Sequence, residues 1–287
     1  MTRVTFAGHT FDGSDTPGDD LLENLEGWFD GTEVRSETLA RQQAHGDFEV
    51  PSWHGGRIVS AVVSRRCASD AQAGAARREF AAMLAGGAFD DMTVVEADGH
   101  ATSARVRLNA RTLVRWFPHS QRVRAVVELY APDPLRYADA TNLSTTFATS
   151  SGGLEFPLFT DGTDDTGFLE FGEQGSTGRV SLPVQDGTAP GHTQLLVTGP
   201  VPPFSIVRVE TGRRIAFARS VPAGDRLLID TATGSALLNG GDVDYSGLLT
   251  HWEWDPINPG EAATFAFLAD GPTDTGTLTV IHRAAWW

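Results

Sequence analysis

The chain has 287 residues, with 22 arginines, no lysine and 37 acidic residues, so its formal net charge is −15. This acidity disfavours nonspecific nucleic-acid binding by the surface as a whole. The absence of lysine excludes a P-loop, a pyridoxal-phosphate Schiff base and Ser-x-x-Lys catalysis. The one cysteine, Cys67, excludes an internal disulfide and a cysteine-based metal cluster.

No targeting segment is visible in the sequence. Residues 1–6 lack the positive region and apolar stretch of a signal peptide, and no run approaches the 18 apolar residues of a membrane helix. We therefore expect a protein that is made in a cytoplasm and does not insert into a membrane.

The first half consists mostly of short apolar stretches bounded by Gly, Asp, Pro or Thr, the pattern of strands and turns. Residues 70–85 differ, because they are rich in alanine and place apolar side chains at helical spacing. Ser69 and Gln72 have the spacing of a capping box, and Gly86-Gly87 supplies a stop. The pattern predicts one helix packed on a sheet. The predicted strands are 3–6, 25–30, 57–65, 91–97, 102–109, 111–117 and 121–130.

A polar stretch at 31–56 interrupts these strands and has little periodicity. We interpret it as a long loop or an extended hairpin. Long loops inside a domain are uncommon and are often functional.

The composition shifts at 131–153, where Ala-Pro-Asp-Pro is followed by a stretch rich in Thr, Ser and Ala. We predict two domains there, 1–137 and 138–287. Residues 1–136 carry 15 arginines and 19 acids, whereas residues 137–287 carry 7 and 18. The second half shows strand and turn signals every 8–12 residues, as in a β-sandwich or barrel. Its predicted strands are 154–159, 167–171, 177–182, 193–198, 204–210, 213–219, 226–230, 235–239, 250–254, 262–268 and 276–283.

Catalytic motifs are missing from the sequence. There is no Gly-x-Ser-x-Gly elbow and no His-Glu-x-x-His, and no two histidines have metal-ligand spacing on a predicted helix. We expect no catalytic residue, no metal site and no cofactor.

Alternating arginines lie on two predicted strands of the first half. Arg105 and Arg107 share one face of a strand, and Arg122 and Arg124 share one face of another. They form either a solvated face neutralised by nearby acids or a positive stripe across neighbouring strands. A stripe would be an interface that meets an acidic partner or faces passing DNA.

Four tryptophans carry further hypotheses. Trp252 and Trp254 flank Glu253 and share one face of a strand, so they either stack on a sugar or fill a sandwich core. The core is the favoured interpretation, because a turn follows directly. Trp286-Trp287 end the sequence, and we expect at least one of them to be tucked into its domain or a neighbouring subunit.

Turn and strand signatures in a particular order run along nearly the whole chain. In this order the chain resembles the distal tail proteins of siphophages, in the form of minor tail proteins of actinobacterial phages. The segments that carry the resemblance are Val123–Pro134, Val197–Pro200, Ile206–Phe217, Ala223–Asp230, Leu238–Gly240, Pro259-Gly260 and Arg283–Trp287.

The resemblance implies a mainly β fold. Its first domain would be a tail-tube-like β-sandwich or split barrel with one helix and an extended hairpin, and its second a galectin-like β-sandwich. It also implies a structural protein of the virion tail tip, a hexameric ring that joins the tail tube protein to the tail-tip hub or baseplate. The resemblance names the tape-measure protein as a further partner. DNA would pass through the lumen without specific binding, and the hairpin would belt neighbouring subunits together.

An alternative function is host adhesion, in which the second domain binds carbohydrate through Trp252, Trp254 and Glu253. Under the ring hypothesis, the interface candidates are the four arginines and the two C-terminal tryptophans. The excess of acids in the second half favours an acidic domain that faces outward from the lumen.

Overall fold

Antiparallel strands build nearly all of the fold, which we describe from a computed structural model covering residues 2–13, 15–148, 176–269 and 275–287. The mainly β prediction is confirmed, and α1 (Asp70–Ala82) is the one α-helix among these residues. The predicted strands 154–159 and 167–171 lie outside the described residues. Two units are formed, Met1–Asp139 with Ala285–Trp287, and Ala140–Ala284.

The described residues of the first unit form thirteen strands before the start of the second unit. They are β1 (Arg3–Phe6), β2 (His9–Phe11), β3 (Asp20–Glu26), β4 (Val34–Ser36), β5 (Leu39–Ala40), β6 (Asp47–Phe48), β7 (Ser52–His54), β8 (Arg57–Arg66), β9 (Asp90–Val95), β10 (Ala101–Leu108), β11 (Leu113–Phe117), β12 (Arg122–Ala131) and β13 (Arg136–Tyr137).

The main sheet of this unit runs in the order β2-β1-β9-β10-β12-β8-β3, and β11 also pairs with β12. Its end strands meet only through an isolated bridge between Asp12 and Leu21, so the sheet does not close into a barrel. Alternate residues of β8 and β12, such as Val59 and Val127, are buried in one core. Period-two patterning therefore predicted these strands well.

The helix packs its small face and Phe80 against this core. The Ser69 side chain accepts from the Gln72 main-chain N–H, as the capping-box prediction requires. The Gln72 side chain accepts from the main-chain N–H of Ala68, one residue before the N-cap, instead of from that of Ser69. The helix ends at Ala82, three residues before the predicted end, because Leu84 adopts a left-handed φ of 52°.

The predicted strand 25–30 is wrong, because the strand is β3, Asp20–Glu26. Gly27 follows with φ +81° and turns the chain, and Trp28 is fully buried. A Cβ at Gly27 would lie 2.1 Å from the Ile58 carbonyl oxygen, so only glycine fits this close approach.

The polar stretch 31–56 is an extended hairpin, which we call the arm. Two short ladders hold it: β4 pairs with β7, and β5 pairs with β6. The Gly55 N–H donates to the Glu33 carbonyl oxygen at 2.7 Å, which closes the arm at its root. Of the two alternatives from the sequence, the structure shows the hairpin.

The second unit contains eleven strands in its described residues. They are β14 (Thr141–Thr146), β15 (Arg179–Leu182), β16 (Thr193–Thr198), β17 (Phe204–Arg208), β18 (Arg214–Phe217), β19 (Arg226–Asp230), β20 (Ser235–Leu238), β21 (Val243–Asp244), β22 (Leu249–Trp252), β23 (Ala263–Ala269) and β24 (Thr277–His282).

Two sheets face each other across the core of this unit. One has the order β14-β24-β16-β19-β20-β21 and the other β15-β23-β17-β18-β22. Leu195 and Val280 of the first sheet and Ile206 and Phe265 of the second are completely buried in one cluster. This is the sandwich that the turn spacing predicts.

The last strand, β25 (Ala285–Trp286), belongs to the first unit, where it pairs with β13. The second unit therefore ends at Ala284. The predicted second domain, 138–287, assigned these last residues to the sandwich. A strand that returns across a domain boundary has no local sequence signal.

His282 on β24 is 1% exposed, so its imidazole ring is removed from water. Burial lowers the pKa of His282 below 6.5, and the His192 main chain opposes only part of this shift. The unfolded chain then binds the proton first as the pH falls. Stability should therefore decline below pH 6.5, until the folded state is also protonated.

We expect His282→Leu to weaken this acid sensitivity. Between pH 7 and 5, the wild type should lose up to about 1.4 kcal/mol per pH unit more unfolding free energy than the variant. Chemical denaturation at several pH values measures the difference, with His251→Leu as the control on the less buried β22. Parallel pH profiles for wild type and His282→Leu would contradict the expectation.

Candidate assembly surface

The arm exposes large apolar side chains along its length. Trp53 is 71% exposed, and Val34, Leu39 and Phe48 are each more than half exposed. Each of them lies in one of the two ladders. Isolated exposed apolar residues are ordinary, but four on one protruding hairpin mark a surface for a partner.

Arg57 anchors the root of the arm from inside the fold. Arg57 is the first residue of β8 and directly follows the arm, and its side chain is 1% exposed. Its guanidinium donates hydrogen bonds of 2.7–3.1 Å to the main-chain oxygens of Gly27, Trp28, Asp30 and Pro134. Burial lowers the pKa of Arg57 to about 10, which leaves the group charged at neutral pH.

The C-terminal residues contact the same root. The Arg136 guanidinium donates to the Trp287 main-chain oxygen at 2.7 Å, and the Trp287 ring lies 4.2 Å from the ring of His54, the last residue of β7. Trp286 packs edge-on against His100 at 4.8 Å. Trp287 remains 40% exposed. Both predicted interface tryptophans therefore pack within the first unit, next to the arm.

A row of side chains crosses the outer face of the main sheet beside the arm, and we call it the root row. Ile58, Tyr130 and Arg107 lie opposite one another on β8, β12 and β10. Phe89 flanks the row, and the guanidiniums of Arg105 and Arg107 lie 5.3 and 5.6 Å from its ring centroid. Arg107 also lies 5.6 Å from the Tyr130 ring, so two aromatic rings hold it.

The four predicted arginines do not form one stripe. Arg107 lies opposite Tyr130, six residues along β12 from Arg124, so the two pairs lie at opposite ends of that strand. Arg122 pairs with Asp15 at 2.5 Å, and Arg124 pairs with Glu23 at 2.7 Å. For Arg122 and Arg124, the structure therefore favours a solvated face neutralised by nearby acids.

The structure also separates the roles of the candidate glycan residues. Trp254 packs on the sandwich core and stacks on Phe265 with centroids 5.5 Å apart. Trp252 is 38% exposed and lies against the turn at Gly234, while Glu253 interacts with His251 at 3.2 Å. The two indoles therefore do not offer a shared exposed platform.

Sequence analysis missed Ile58, Phe89 and Tyr130. Ile58 had a readable signal, because it is an apolar residue at a position of β8 where the alternation predicts a side chain on the solvent face. The structure shows this side chain 54% exposed. Tyr130 also lies on the outward face of an alternating strand, but its partnership with Arg107 depends on the register of β10 against β12. Phe89 directly precedes β9, so its contact with Arg105 depends on the register of β9 against β10. Among the described residues, no three His, Cys, Asp or Glu side chains converge on a metal position. No helix in that part of the chain has the length and apolarity to cross a membrane.

Comparisons with known proteins agree with this architecture. A family model described as "Siphovirus-type tail component, C-terminal domain" matches residues 186–286. No curated protein sequence matches the chain. The crystal structure of phage SPP1 Dit protein, described as a paradigm of the hub adsorption apparatus in phages infecting Gram-positive hosts, aligns over 100% of both chains. Its TM-score is 0.65 and its identity 8%.

Two structures of the phage P2 baseplate in its activated conformation also contain a similar chain. The one with Ca has a TM-score of 0.53 at 11% identity and covers 98% of each chain. The one with Sr has a TM-score of 0.50 at 11% identity and covers 99% of this chain and 98% of the other. At these identities the structures show the fold, and the family match supports a structural role in a phage tail.

Proposed function

We propose that this chain, which shares its second-unit sequence family and its fold with siphophage distal tail proteins, forms a closed ring at the end of a phage tail tube. The ring would join the tube protein to the tail-tip hub or baseplate in the virion, and DNA would pass through its lumen without specific binding. The role is structural, and six protomers are expected from the family resemblance.

The arm is the observation that supports this proposal most strongly. A closed ring uses heterologous contacts, so each protomer needs one projecting surface and one receiving surface. A hairpin of the first unit that carries four exposed apolar side chains has the chemistry of the projecting surface. Its root is fixed by Arg57 and by Trp287, which gives the arm a defined direction.

The acidic character of the chain suits a passage for DNA. A net charge of −15 leaves few cations to hold the phosphate backbone. Arg122 and Arg124 are already paired with carboxylates, which reduces their attraction for DNA further. Salt-dependent binding of duplex DNA by the assembled ring would contradict free transit.

Removal of the arm tests the proposal. Because Glu33 and Gly55 are hydrogen-bonded at the root, residues 34–54 can be replaced by a short Gly-Ser turn without moving the flanking strands. We expect the full chain to form a discrete assembly near six times 30.7 kDa and the armless chain to be monomeric. Light scattering over a concentration series measures both masses.

A matched pair of surface variants controls for the loss of apolar area. Leu39→Ser with Trp53→Ser should weaken assembly, because buried side chains of this kind contribute about 1.5–3 kcal/mol each. Val184→Ser with Leu268→Ser removes exposed apolar side chains from the second unit and should leave assembly unchanged. A wild-type chain that stays monomeric at every concentration, or an armless chain that assembles, would contradict the proposal.

A further inference from the structure

We infer that the arm of one protomer docks on the root row of the next, so that each arm covers the point where its neighbour's arm begins. This inference rests on the ring proposed above and names the receiving surface that such a ring needs. It concerns contacts between copies of the first unit.

The root row has the composition of a protein interface. Ile58 is 54% exposed and Phe89 is 39% exposed, although both are large apolar side chains on a folded sheet. Tyr130 and the two arginines complete a surface that is aromatic, aliphatic and cationic. Aromatic residues and arginine are the types enriched at the centres of interfaces.

The positive charge of the root row is not neutralised locally. No carboxylate of the described residues lies within ion-pair distance of Arg105 or Arg107, although Asp91 is opposite Arg105 across the ladder. The Arg107 guanidinium instead lies 5.6 Å from the ring centroids of both Phe89 and Tyr130. Such an arginine suits a carboxylate, because the two groups can form a bidentate pair.

The arm offers the complementary charge. Glu37, Asp47 and Glu49 are exposed and form no ion pair with any described residue. Its two arginines are engaged inside the arm, since Arg35 donates to the His54 carbonyl oxygen at 3.4 Å and Arg41 lies over Phe48. The arm therefore presents carboxylates and apolar side chains, as the root row requires.

The arm that docks on the root row must come from a second copy of the chain, because the protomer's own arm begins beside this row and extends away from it. A Cβ at Gly56 would lie 2.5 Å from the Tyr130 ring, so the arm starts directly beside the row. The eight residues from 34 to 41 then extend about 25 Å at roughly 3.3 Å per residue. A contact from the tip of one arm to the root of the next is head-to-tail and closes by rotation into a ring.

Charge reversal on each side tests the contact in the full chain. Arg107→Glu should raise the concentration of half-assembly by about tenfold or more, and so should Glu37→Arg with Glu49→Arg. Arg78→Glu makes the same charge change on an exposed face of α1 and should assemble like the wild type. An equimolar mixture of the row variant and the arm variant should recover assembly, because alternating protomers pair every surface with its complement.

The outcomes separate this inference from the proposed function. If the armless chain is monomeric but Arg107→Glu assembles like Arg78→Glu, the ring stands and the root row is not its receiver. If the two variants do not recover each other although circular dichroism shows both folded, the contact is also excluded. A loss of affinity for a short DNA duplex in Arg107→Glu, with unchanged assembly, would assign the row to phosphate and overturn the inference. Arg107→Gln, which keeps the fold more safely, should show a smaller shift in the same direction.

Discussion

Replacing Arg57 by methionine is expected to lower the free energy of unfolding of the first unit by about 4 kcal/mol or more, because it leaves four main-chain oxygens without their donor and each unsatisfied buried polar group costs roughly 1–3 kcal/mol. Methionine retains the apolar stem, but it leaves the four main-chain oxygens that Arg57 binds without their donor. Replacing a buried ion pair by apolar residues often stabilises a protein, because both polar partners are removed together. Here the partners of Arg57 are main-chain oxygens, which no substitution removes, so this stabilisation is not expected.

Chemical denaturation followed by tryptophan fluorescence measures this change, since Trp28 is completely buried next to the Arg57 site. Arg57→Lys should fall between wild type and methionine, because an ammonium group has three donors and cannot span all four oxygens. Arg78→Met, on the exposed face of α1, is the matched control and should change stability by less than about 0.5 kcal/mol. A methionine variant as stable as this control would show that the arm root does not depend on Arg57.

The elements that sequence analysis predicted correctly are those whose signals are local. The helix start follows from Ser69 and Gln72, because the Ser69 side chain accepts from the Gln72 N–H and the Gln72 side chain accepts from the Ala68 N–H. The predicted strands 204–210 and 213–219 leave only Thr211-Gly212 between them, and Arg208 and Arg213 close this hairpin by main-chain hydrogen bonding. Burial alternation along β12 was readable for the same reason, since it needs no knowledge of the partner strand.

The errors concern features that depend on which strands meet. The arginine stripe required β10 and β12 to pair near Arg124, but the ladder places Arg107 opposite Tyr130. Sequence analysis missed the strand β14, which lies in the composition shift at 131–153, because Thr and Ser residues favour both loops and strand faces. Register is set by tertiary packing, and it is the register that assembles the root row from three separate strands.

Deleting Trp286 and Trp287 is expected to destabilise the first unit by about 2–3 kcal/mol and to loosen the arm at the same time. The deletion removes the β13–β25 ladder and leaves the 8%-exposed Arg136 without its Trp287 oxygen partner. A buried charge that loses its partner is costly, and the effect is larger than that of a lost surface contact. The His54 ring at the base of β7 also loses the indole 4.2 Å away.

Hydrogen exchange distinguishes the two consequences of this deletion. Amides of β4 and β7 should exchange faster in the truncated chain than in the wild type, because opening of the root ladder no longer breaks the contact with Trp287. Trp287→Ala keeps the main-chain oxygen for Arg136, so it should loosen the arm while costing less global stability. If arm exchange were unchanged in both variants, the C-terminal strand would stabilise the sheet without directing the arm. If the two effects appear together, the end of the chain and the assembly surface form one structural element, and ring formation should weaken in proportion to the loss of arm protection.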